Sequence, residues 1–496
     1  MPNERVTESI VRIHLETKGI EGQIVEEQTS DNLRVRNALL RASKSGDGAG
    51  KPEFIIRVPG EPDLIIVFEC KANTVKHESK NLDKPKDYAV DGVLLYASEL
   101  SREFDVIAIA VSGTSKKSLK VSSFRWLKRT TRPFVLQDEH GPITSLVPLD
   151  ALISSLKFDP EVKHRSYLEV MAFSRILHNY MRDIAKLTEP EKPLVVSGVL
   201  LALRDEAFQA SWHKLKVRTL GRELKEAIKR EAEAAFSDQE KQRVMLQPYS
   251  FIDTHPELNR ESDGDFPLRR LVHDIEEHVR PFISTYHDFD VLGQFYGEFL
   301  RYTGGDKKGL GIVLTPRHIT ELFAALASIT PNDTVVDTCC GTGGFLIAAL
   351  AAMDAQAGND KPLKAKIREH RLVGVEQQPH MFALAVSNMI LRGDGKANLY
   401  RESCFDPATV SLIVNGNPGK HVRPTVGMIN PPFSQKGKGL HELDFVLNLL
   451  DALAPGGRAV VILPMSCAIE PNPRKEEILA SHTLRNVSTT LRQKAA

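Results

Sequence analysis

The feature that most constrains this chain is a glycine-rich turn placed directly after a short apolar run. Residues Thr334–Phe345 read TVVDTCCGTGGF, so that β-branched residues lead to Asp337 and small residues follow from Gly341 to Gly344. An apolar segment with helical character continues to Met353. This order of strand, turn and helix predicts the start of a βαβ unit, whose glycines let the backbone approach a nucleotide-like ligand closely.

The segments around this turn alternate between strand and helix patterns. Strands are predicted at Thr334–Asp337, Leu372–Val375, Leu399–Arg401, Val426–Ile429 and Arg458–Leu463. Helices are predicted at His318–Ala327, Phe345–Met353, Met381–Arg392 and Leu443–Leu453, with Thr315 as a cap and Pro316 as the first helical residue of the earliest one. Such alternation predicts a doubly wound parallel sheet, which binds ligands at the carboxyl ends of its strands.

Acidic residues follow three of these strands at the predicted ligand edge. Asp337 and its turn could hold the amino-acid end of a cofactor, Glu376 could accept hydrogen bonds from ribose hydroxyls, and Asp406 could accept from an adenine amino group. The spacing lacks the full GxGxxG of dinucleotide binders and the GKS or GKT of phosphate loops. The pattern therefore argues against NAD and ATP as ligands.

A second motif follows the fourth predicted strand, where residues 429–434 read INPPFS. The exocyclic amine of a base is a poor nucleophile, because its lone pair is conjugated into the ring. The Asn430 side-chain oxygen and the Pro431 carbonyl can accept hydrogen bonds from such an amine and draw its nitrogen toward a tetrahedral form. Pro431 and Pro432 make the turn rigid, and Phe433 can stack on a base that has left the helix. A plain proline-rich turn is the simpler interpretation, but the position three strands after DxxxGxGG favours methyl transfer to an amine.

These motifs give the C-terminal part a family resemblance. Residues from about 280 to 466 resemble the modification subunit of type I restriction–modification systems, an S-adenosylmethionine-dependent adenine-N6 DNA methyltransferase. The matching segments are LTPRHITELF, DTCCGTGGFLIAAL, VGVEQQPHMFALAVSNMILRG, NPPFS and GGRAVVILPMS. The resemblance implies a cofactor pocket formed by Thr315, Asp337, Gly341, Gly343, Glu376 and Asp406. It also implies that Asn430, Pro431 and Phe433 bind the target adenine, and that methyl transfer needs no metal. Leu314 stands where the family often has an aromatic residue.

A separate constellation is predicted near the N-terminus. Strands Phe54–Val58 and Leu64–Cys70 flank the turn signal PGEP, and folding this hairpin places Glu53 opposite Glu69. Lys71 shares a face with Glu69, so two carboxylates and an amine are expected to converge. Such a set could hold Mg²⁺ and activate a water molecule for attack on a phosphodiester. The pattern resembles the PD-(D/E)xK nuclease core found at the N-terminus of type I restriction subunits, although Pro-Glu stands in place of Pro-Asp.

Other carboxylates could contribute to that constellation. Asp63 also follows a proline, but it lies roughly 20 Å from Glu69 along an extended strand, so Glu53 is preferred. Glu8 or Glu27 could add a ligand. An ordinary hairpin with a solvated Glu–Lys pair is the simpler alternative, and such folds also persist as binding modules without cleavage. The basic run RWLKRTTR, residues 125–132, could contact a phosphate backbone or could simply be a solvated surface.

The full chain has 496 residues and a net charge of +1. We predict an α/β fold, namely a doubly wound S-adenosylmethionine-dependent methyltransferase domain (296–496), preceded by a helical region (151–295) and a small α/β nuclease-like domain (1–150). The five cysteines show no paired metal spacing, and no targeting or bilayer-spanning segment is evident. These features predict a cytoplasmic protein without a membrane partner.

The expected partners are double-stranded DNA and a separate specificity subunit, since the sequence shows no target-recognition domain. The segment Leu484–Ala496 is polar where the family continues into a further hairpin, so we expect a C-terminus that is truncated or altered, with impaired activity. Two alternatives stay open: methylation of RNA or protein by the same chemistry, and a cofactor- or DNA-binding remnant without turnover.

Overall fold

The chain folds into two compact units, Met1–Ser166 and Tyr167–Ala496. The computed structural model describes residues 4–44, 48–59, 61–128, 130–138, 141–157, 160–261, 266–286, 290–302, 314–358, 360–393, 398–417, 419, 421–433 and 440–488. No helix within these ranges is both long and apolar enough to cross a bilayer. The predicted boundaries at residues 150 and 295 stay predictions.

The first unit is a mixed α/β structure around one sheet. Its helices are α1 (Glu4–Lys18), α2 (Leu33–Leu39), α3 (Ala89–Leu100) and α4 (Leu149–Lys157), and α5 (Pro160–Asp183) begins in it. Its strands are β1 (Ile24–Glu26), β2 (Phe54–Val58), β3 (Glu61–Lys71), β4 (Asp105–Ser112), β5 (Lys120–Trp126), β6 (Phe134–Val135), β7 (Gln137–Asp138) and β8 (Gly141–Pro142).

The sheet of this unit has six strands in the order β1-β2-β3-β4-β5-β6. The hairpin β2–β3 pairs antiparallel with Phe54 opposite Phe68, and β3 continues parallel to β4 with Glu69 beside Ala110. Apolar residues fill both faces, with α1 and α4 on one side and α2 and α3 on the other. The predicted order of strand, strand, helix and strand is confirmed.

Two details of this unit differ from expectation. The sequence of Asp31–Lys44 predicts a helix over that whole segment, but α2 is only seven residues long, since Asn32 caps its start and it ends at Leu39. The predicted four-residue turn is tighter, since Val58 already pairs with Glu61, which begins β3. Gly60 lies outside the described residues.

The second unit begins with helices. They are the rest of α5, then α6 (Glu191–Ala202), α7 (Glu206–Ser211), α8 (Val217–Ala235), α9 (Gln239–Leu246), α10 (Pro267–His278), α11 (Arg280–Thr285) and α12 (Val291–Tyr302). The polar sequence of Ser237–Pro256 predicts a break between helices, and this prediction is wrong, because Asp238 caps α9 by accepting from the N–H groups of Glu240 and Lys241.

The doubly wound part follows. Its strands are β9 (Val335–Asp337), β10 (Leu372–Val375), β11 (Asn398–Tyr400), β12 (Val426–Ile429) and β13 (Arg458–Val461). Its helices are α13 (Arg317–Leu326), α14 (Gly344–Ala357), α15 (Lys361–His370), α16 (Pro379–Leu391), α17 (Pro407–Asn415), α18 (Glu442–Ala452), α19 (Met465–Ile469) and α20 (Pro473–Ser481). Helices α15, α17, α19 and α20 were not predicted.

The sheet is parallel throughout, in the order β11-β10-β9-β12-β13. The direction of winding reverses between β9 and β12, so the crevice at their carboxyl ends is the topological switch point where such sheets bind ligands. Asp337 ends β9 and Asn430 follows β12. The doubly wound prediction is confirmed, and it places both motifs at one edge.

The helices before the sheet share its core. The helix α6 is buried along its whole length and packs against α16, which covers the sheet. A buried hydroxyl chain joins the two regions, because the Tyr249 hydroxyl lies 2.9 Å from Ser197 Oγ of α6 and 2.7 Å from Ser387 Oγ of α16. The helical region is therefore part of the platform that holds the sheet.

Candidate active sites

The glycine turn after β9 is fastened to the end of β10. Gly341 and Gly343 have φ angles of +56° and +87°, in the left-handed region that glycine adopts without strain. The Gly341 N–H donates to Glu376 Oε2 at 3.0 Å, and the Gln378 N–H donates to Oε1 at 2.7 Å. Burial raises the pKa of Glu376. The carboxylate thus sits at the mouth of the turn and retains lone pairs for further donors.

Asp337 lies beneath this turn and is 1% exposed. Its Oδ1 accepts from the Cys339 N–H at 3.0 Å. Burial raises the pKa of the Asp337 carboxyl to about 8, since no cation of the described residues compensates its charge. A positively charged ligand group at the turn would favour the ionised form.

Asn430 and Thr315 form the other side of the crevice. Asn430 Nδ2 donates to Thr315 Oγ1 at 3.0 Å, while Asn430 Oδ1 is buried and has no hydrogen-bond partner among the described residues. Thr315 was predicted to cap α13, but Pro316 occupies the cap position, and the Thr315 hydroxyl serves Asn430 instead. An unpaired buried acceptor is unfavourable by about 1–3 kcal/mol, so this oxygen is suited to a donor from a substrate.

The residues after Asn430 differ in exposure. Pro431 is buried and Pro432 is exposed. Phe433 is 41% exposed, which leaves its ring available for stacking. Asp406 caps α17, because its Oδ2 accepts from the Thr409 N–H at 3.0 Å and from Thr409 Oγ1 at 3.3 Å. One oxygen of the predicted adenine acceptor is therefore already engaged.

Sequence reasoning missed Asp290, which precedes α12. Its Oδ2 accepts from Thr342 Oγ1 at 2.7 Å, and its Oδ1 accepts from the Gly293 N–H at 2.7 Å and from Asn388 Nδ2 at 2.8 Å. Asn388 Nδ2 also donates to the Thr342 carbonyl at 2.8 Å. One carboxylate thereby joins the helical region, the glycine turn and α16. Its only sequence signal is an Asp before an apolar segment, which marks a helix start and not a site.

A cavity of about 380 Å³ lies between α12, α13 and α14. Its polar part includes Asp290, Gln294, Thr315 and Arg317, and its apolar part includes alanines of α13 and α14. Gly344 lines it, whereas Asp337, Glu376 and Asp406 are not among its described lining residues. The cavity therefore adjoins the crevice at the strand ends and shares Thr315 with it.

The N-terminal carboxylates meet as the hairpin predicts. The register places Glu53 opposite Glu69. Two hydrogen bonds hold Glu53 in place. Its N–H donates to the Phe68 carbonyl at 3.1 Å, and its Oε2 accepts from the Cys70 N–H at 3.2 Å. Glu69 is 0% exposed. Lys71 Nζ lies 3.1 Å from Glu69 Oε1 and 3.4 Å from Glu4 Oε1.

The charge balance at this hairpin suits a cation. Burial and the charge of Glu69 raise the pKa of Glu53. Glu69 Oε2 is buried without a hydrogen-bond partner among the described residues. Two facing carboxylates with an unused oxygen are the ligands that Mg²⁺ prefers, so the residues present fit this ion.

The alternative acids lie elsewhere. Asp63 is exposed, and it pairs with Arg34 and Lys128 at 3.2 Å each, while Glu27 pairs with Arg12. In the basic run, the guanidinium of Arg125 lies over the ring of Phe134 at 4.7 Å, and that of Arg132 lies over it at 4.8 Å. Phosphate contact by this run stays a prediction, and Arg129 lies outside the described residues.

The structure also brings three possible metal ligands together, although the sequence spacing gave no sign of them. Ligand atoms of His441, Glu442 and Cys467 lie within 4.8 Å of one another. His441 Nδ1 accepts from the Leu443 N–H at 3.1 Å and caps α18. The capping role of the His441 imidazole therefore explains why these three side chains lie close together.

Comparisons with known proteins agree with the C-terminal geometry. A sequence model of N-6 DNA methylases matches residues 287–481. The type II restriction enzyme and methyltransferase RM.BcgI of Heyndrickxia coagulans is 34% identical over 535 residues, and the alignment covers 99% of this chain and 79% of that protein. The chain belongs to the N-6 DNA methylases of restriction–modification systems.

This methylase is also similar to subunits of type I systems. The type I restriction enzyme EcoKI methylase subunit of Escherichia coli (strain K12) is 27% identical over 198 residues, which is 36% of each chain. A solved chain of a type I R-M system is 20% identical with a TM-score of 0.42, covering 62% of the methylase and 67% of that chain.

The structure thus brings predicted residues of the methylase together at two sites. At the strand ends, one wall is formed by Asp337, Gly341, Gly343 and Glu376, and the other by Asn430 with Thr315. In the first unit, the second site contains Glu53, Glu69 and Lys71. Their roles in binding and catalysis stay predictions.

Proposed function

We propose that the second unit of this methylase binds S-adenosylmethionine and target adenine on opposite walls of the crevice between β9 and β12, and methylates adenine N6 in double-stranded DNA. The observation that carries this assignment is the buried Oδ1 of Asn430, which has no hydrogen-bond partner within the described part of the chain. An exocyclic amine supplies a donor to it.

Thr315 fixes the direction of this acceptor. Its hydroxyl holds Asn430 Nδ2, so the amide cannot rotate without losing the 3.0 Å bond. Oδ1 and the Pro431 carbonyl then accept the two N–H groups of the target amine. The nitrogen becomes more tetrahedral, and its lone pair turns away from the ring and toward the electrophile. The amine nitrogen would form the bond to the methyl carbon as the bond between that carbon and the cofactor sulfur breaks, and one N–H proton would be lost to solvent.

The cofactor wall is assigned by charge and position. Glu376 accepts from ribose hydroxyls, Asp337 and the turn at Gly341 and Gly343 hold the amino-acid end, and Asp406 offers its second oxygen to the adenine amino group. When bound, S-adenosylmethionine supplies an electrophilic methyl group. The exposed ring of Phe433 stacks on the extruded base, which leaves the duplex before reaction.

We further propose that the first unit is a Mg²⁺-dependent nuclease. Glu53 and Glu69 would hold the ion, and Lys71 would stand beside the scissile phosphate. The buried, unused oxygen of Glu69 supports this, as does the similarity along almost the whole chain to a protein named as both restriction enzyme and methyltransferase.

Sequence choice would come from a separate specificity subunit, and the protein would act in the cytoplasm.

Two matched variants separate the proposed activities. Asn430→Ala should abolish transfer of labelled methyl to DNA and leave Mg²⁺-dependent cleavage intact, and Glu69→Gln should do the reverse. Each variant is the folding control for the other. If Asn430→Ala methylates DNA at the normal rate, the assignment of Asn430 is wrong, and if labelled methyl appears only on RNA or protein, DNA is the wrong substrate.

A further inference from the structure

Lys44 lies at the N-terminal carboxylate pair, although no motif marks it. The residue follows α2, and its Nζ bonds to Glu69 Oε1. The same ammonium lies 5.0 Å from the ring centre of Tyr96 on α3. The Lys44 side chain is 19% exposed. An aromatic face and a buried carboxylate therefore hold this ammonium inside the site.

The surroundings of Glu69 are shaped for this contact. A Cβ on Gly92 would lie 3.0 Å from Glu69 Cδ, so only glycine at this point of α3 leaves room for the carboxyl group. Tyr96, four residues further along α3, is 1% exposed. Lys44 is thus part of a packed arrangement, unlike a surface ion pair whose geometry is loosely held.

Both lysines bind the same oxygen of Glu69. Lys71 and Lys44 contact Oε1, whereas Oε2 has no hydrogen-bond partner among the described residues. Lys71 has a second carboxylate, because Glu4 lies 3.4 Å away. Among the described residues, Lys44 therefore makes its ionic contact with Glu69 alone.

We propose that Lys44 is a built-in competitor of the divalent ion: it neutralises Glu69 in the metal-free protein and is displaced when the ion binds. This inference rests on the proposed nuclease site. Lys44 is a positioning residue here, because it acts through Glu69. The arrangement shifts metal loading, and hence cleavage, to a higher concentration of the ion.

The direct test is Mn²⁺ affinity of the full-length chain, measured by calorimetry without DNA. Lys44→Met removes the competing charge and should tighten Mn²⁺ binding by about tenfold, because a unit charge a few ångströms away acts strongly in a buried site. Lys128→Met is the matched control, since Lys128 pairs with Asp63 on the same strand and should not alter the affinity. Equal affinities of wild type and Lys44→Met would overturn the proposal.

A second measurement needs no variant at Lys44. Acylation of lysines by an amine-reactive reagent, followed by mass spectrometry, should show Lys44 becoming more reactive when Mn²⁺ is added, with Lys128 unchanged. Unchanged reactivity of Lys44 at saturating Mn²⁺ would also overturn the proposal.

The outcomes distinguish this inference from the nuclease proposal itself. Glu69→Gln should lose the Mn²⁺ site. If wild type binds no more Mn²⁺ than Glu69→Gln, the nuclease site is wrong. If wild type binds Mn²⁺ at Glu69 but Lys44→Met binds it no more tightly, only the role of Lys44 is wrong.

Discussion

Asn430 donates from Nδ2 to the Thr315 hydroxyl at 3.0 Å, while Asn430 Oδ1 is buried and finds no hydrogen-bond partner in the described ranges of the chain. The two residues are 115 positions apart in the chain. The loop before α13 and the strand β12 therefore cooperate to present one acceptor at the switch point of the sheet.

Asn430→Ala should lower the rate of methyl transfer by about 10²–10³-fold, the usual effect of removing one preorganised hydrogen-bonding group from a transition state. Cofactor affinity should change little, because Asn430 lies on the substrate wall. Single-turnover transfer of labelled methyl and equilibrium cofactor binding separate the two quantities. Asn415→Ala is the matched control, since the Asn415 side chain donates to Ser411 Oγ at the exposed surface of α17. Equal rates of methyl transfer for Asn430→Ala and Asn415→Ala would show that Asn430 does not belong to the active site.

Thr315→Val keeps the shape of the side chain but removes the acceptor of Asn430 Nδ2. We expect transfer to fall about tenfold, in line with the loss of one hydrogen bond of about 1 kcal/mol or slightly more. Thr315→Ser keeps the hydroxyl and should stay close to wild type. The comparison is made on the single-turnover rate with saturating cofactor. If Val and Ser behave alike, the hydroxyl does not orient the amide.

Asp337→Asn should stabilise the cofactor-free protein at alkaline pH. The folded-state pKa of Asp337 is raised to about 8, above an ordinary value near 4. Its contribution to stability is therefore greatest below pH of about 4, falls as pH rises, and is lowest above pH of about 8. Asn retains Oδ1 for the Cys339 N–H and does not ionise.

The measurement for Asp337 is the free energy of unfolding by urea between pH 5 and 9, with and without the substitution. The difference should grow toward alkaline pH, on the order of a few kcal/mol at most. S-adenosylmethionine should bind Asp337→Asn more weakly, because we propose that the Asp337 carboxylate holds the amino-acid end of the cofactor. A difference that does not vary with pH would contradict the burial argument.

Asp290→Ala should destabilise the second unit by about 1–3 kcal/mol, since it leaves buried donors of Thr342, Asn388 and Gly293 unpaired. It should also weaken cofactor binding, because Thr342 belongs to the glycine turn. Urea unfolding and cofactor titration measure the two effects. Asp183→Ala, at an exposed ion pair with Arg182, should leave both quantities near wild type. A full-strength cofactor site in Asp290→Ala would show that the turn holds its shape alone.

The sequence predicted the parts of both sites that depend on local order. Alternation fixed the strands β10 and β12 to the residue, and hairpin register alone placed Glu53 opposite Glu69. The helix α9 was missed because a polar run hides the cap at Asp238. The helix α9 forms despite its polar sequence, because the cap at Asp238 and the burial of Met245 stabilise it.

The rest depends on contacts distant in sequence. Asp290 reaches Thr342 across 52 positions and Asn388 across 98, and no periodicity reports such a bond. Lys44 reaches Glu69 across 25 positions from outside any motif. The chemistry of a motif can be inferred from its residue types, but the residues that hold it in place appear only when the chain is folded.

The most direct test is sequencing of host DNA for N6-methyladenine, in cells that carry this methylase with a candidate specificity subunit, and in matched cells that carry Asn430→Ala. We predict methylated adenine at a defined sequence with the wild-type chain and loss of that signal with the variant. Methylation that persists in Asn430→Ala, or a wild-type chain that methylates RNA or protein and leaves DNA unmodified, would contradict the assignment.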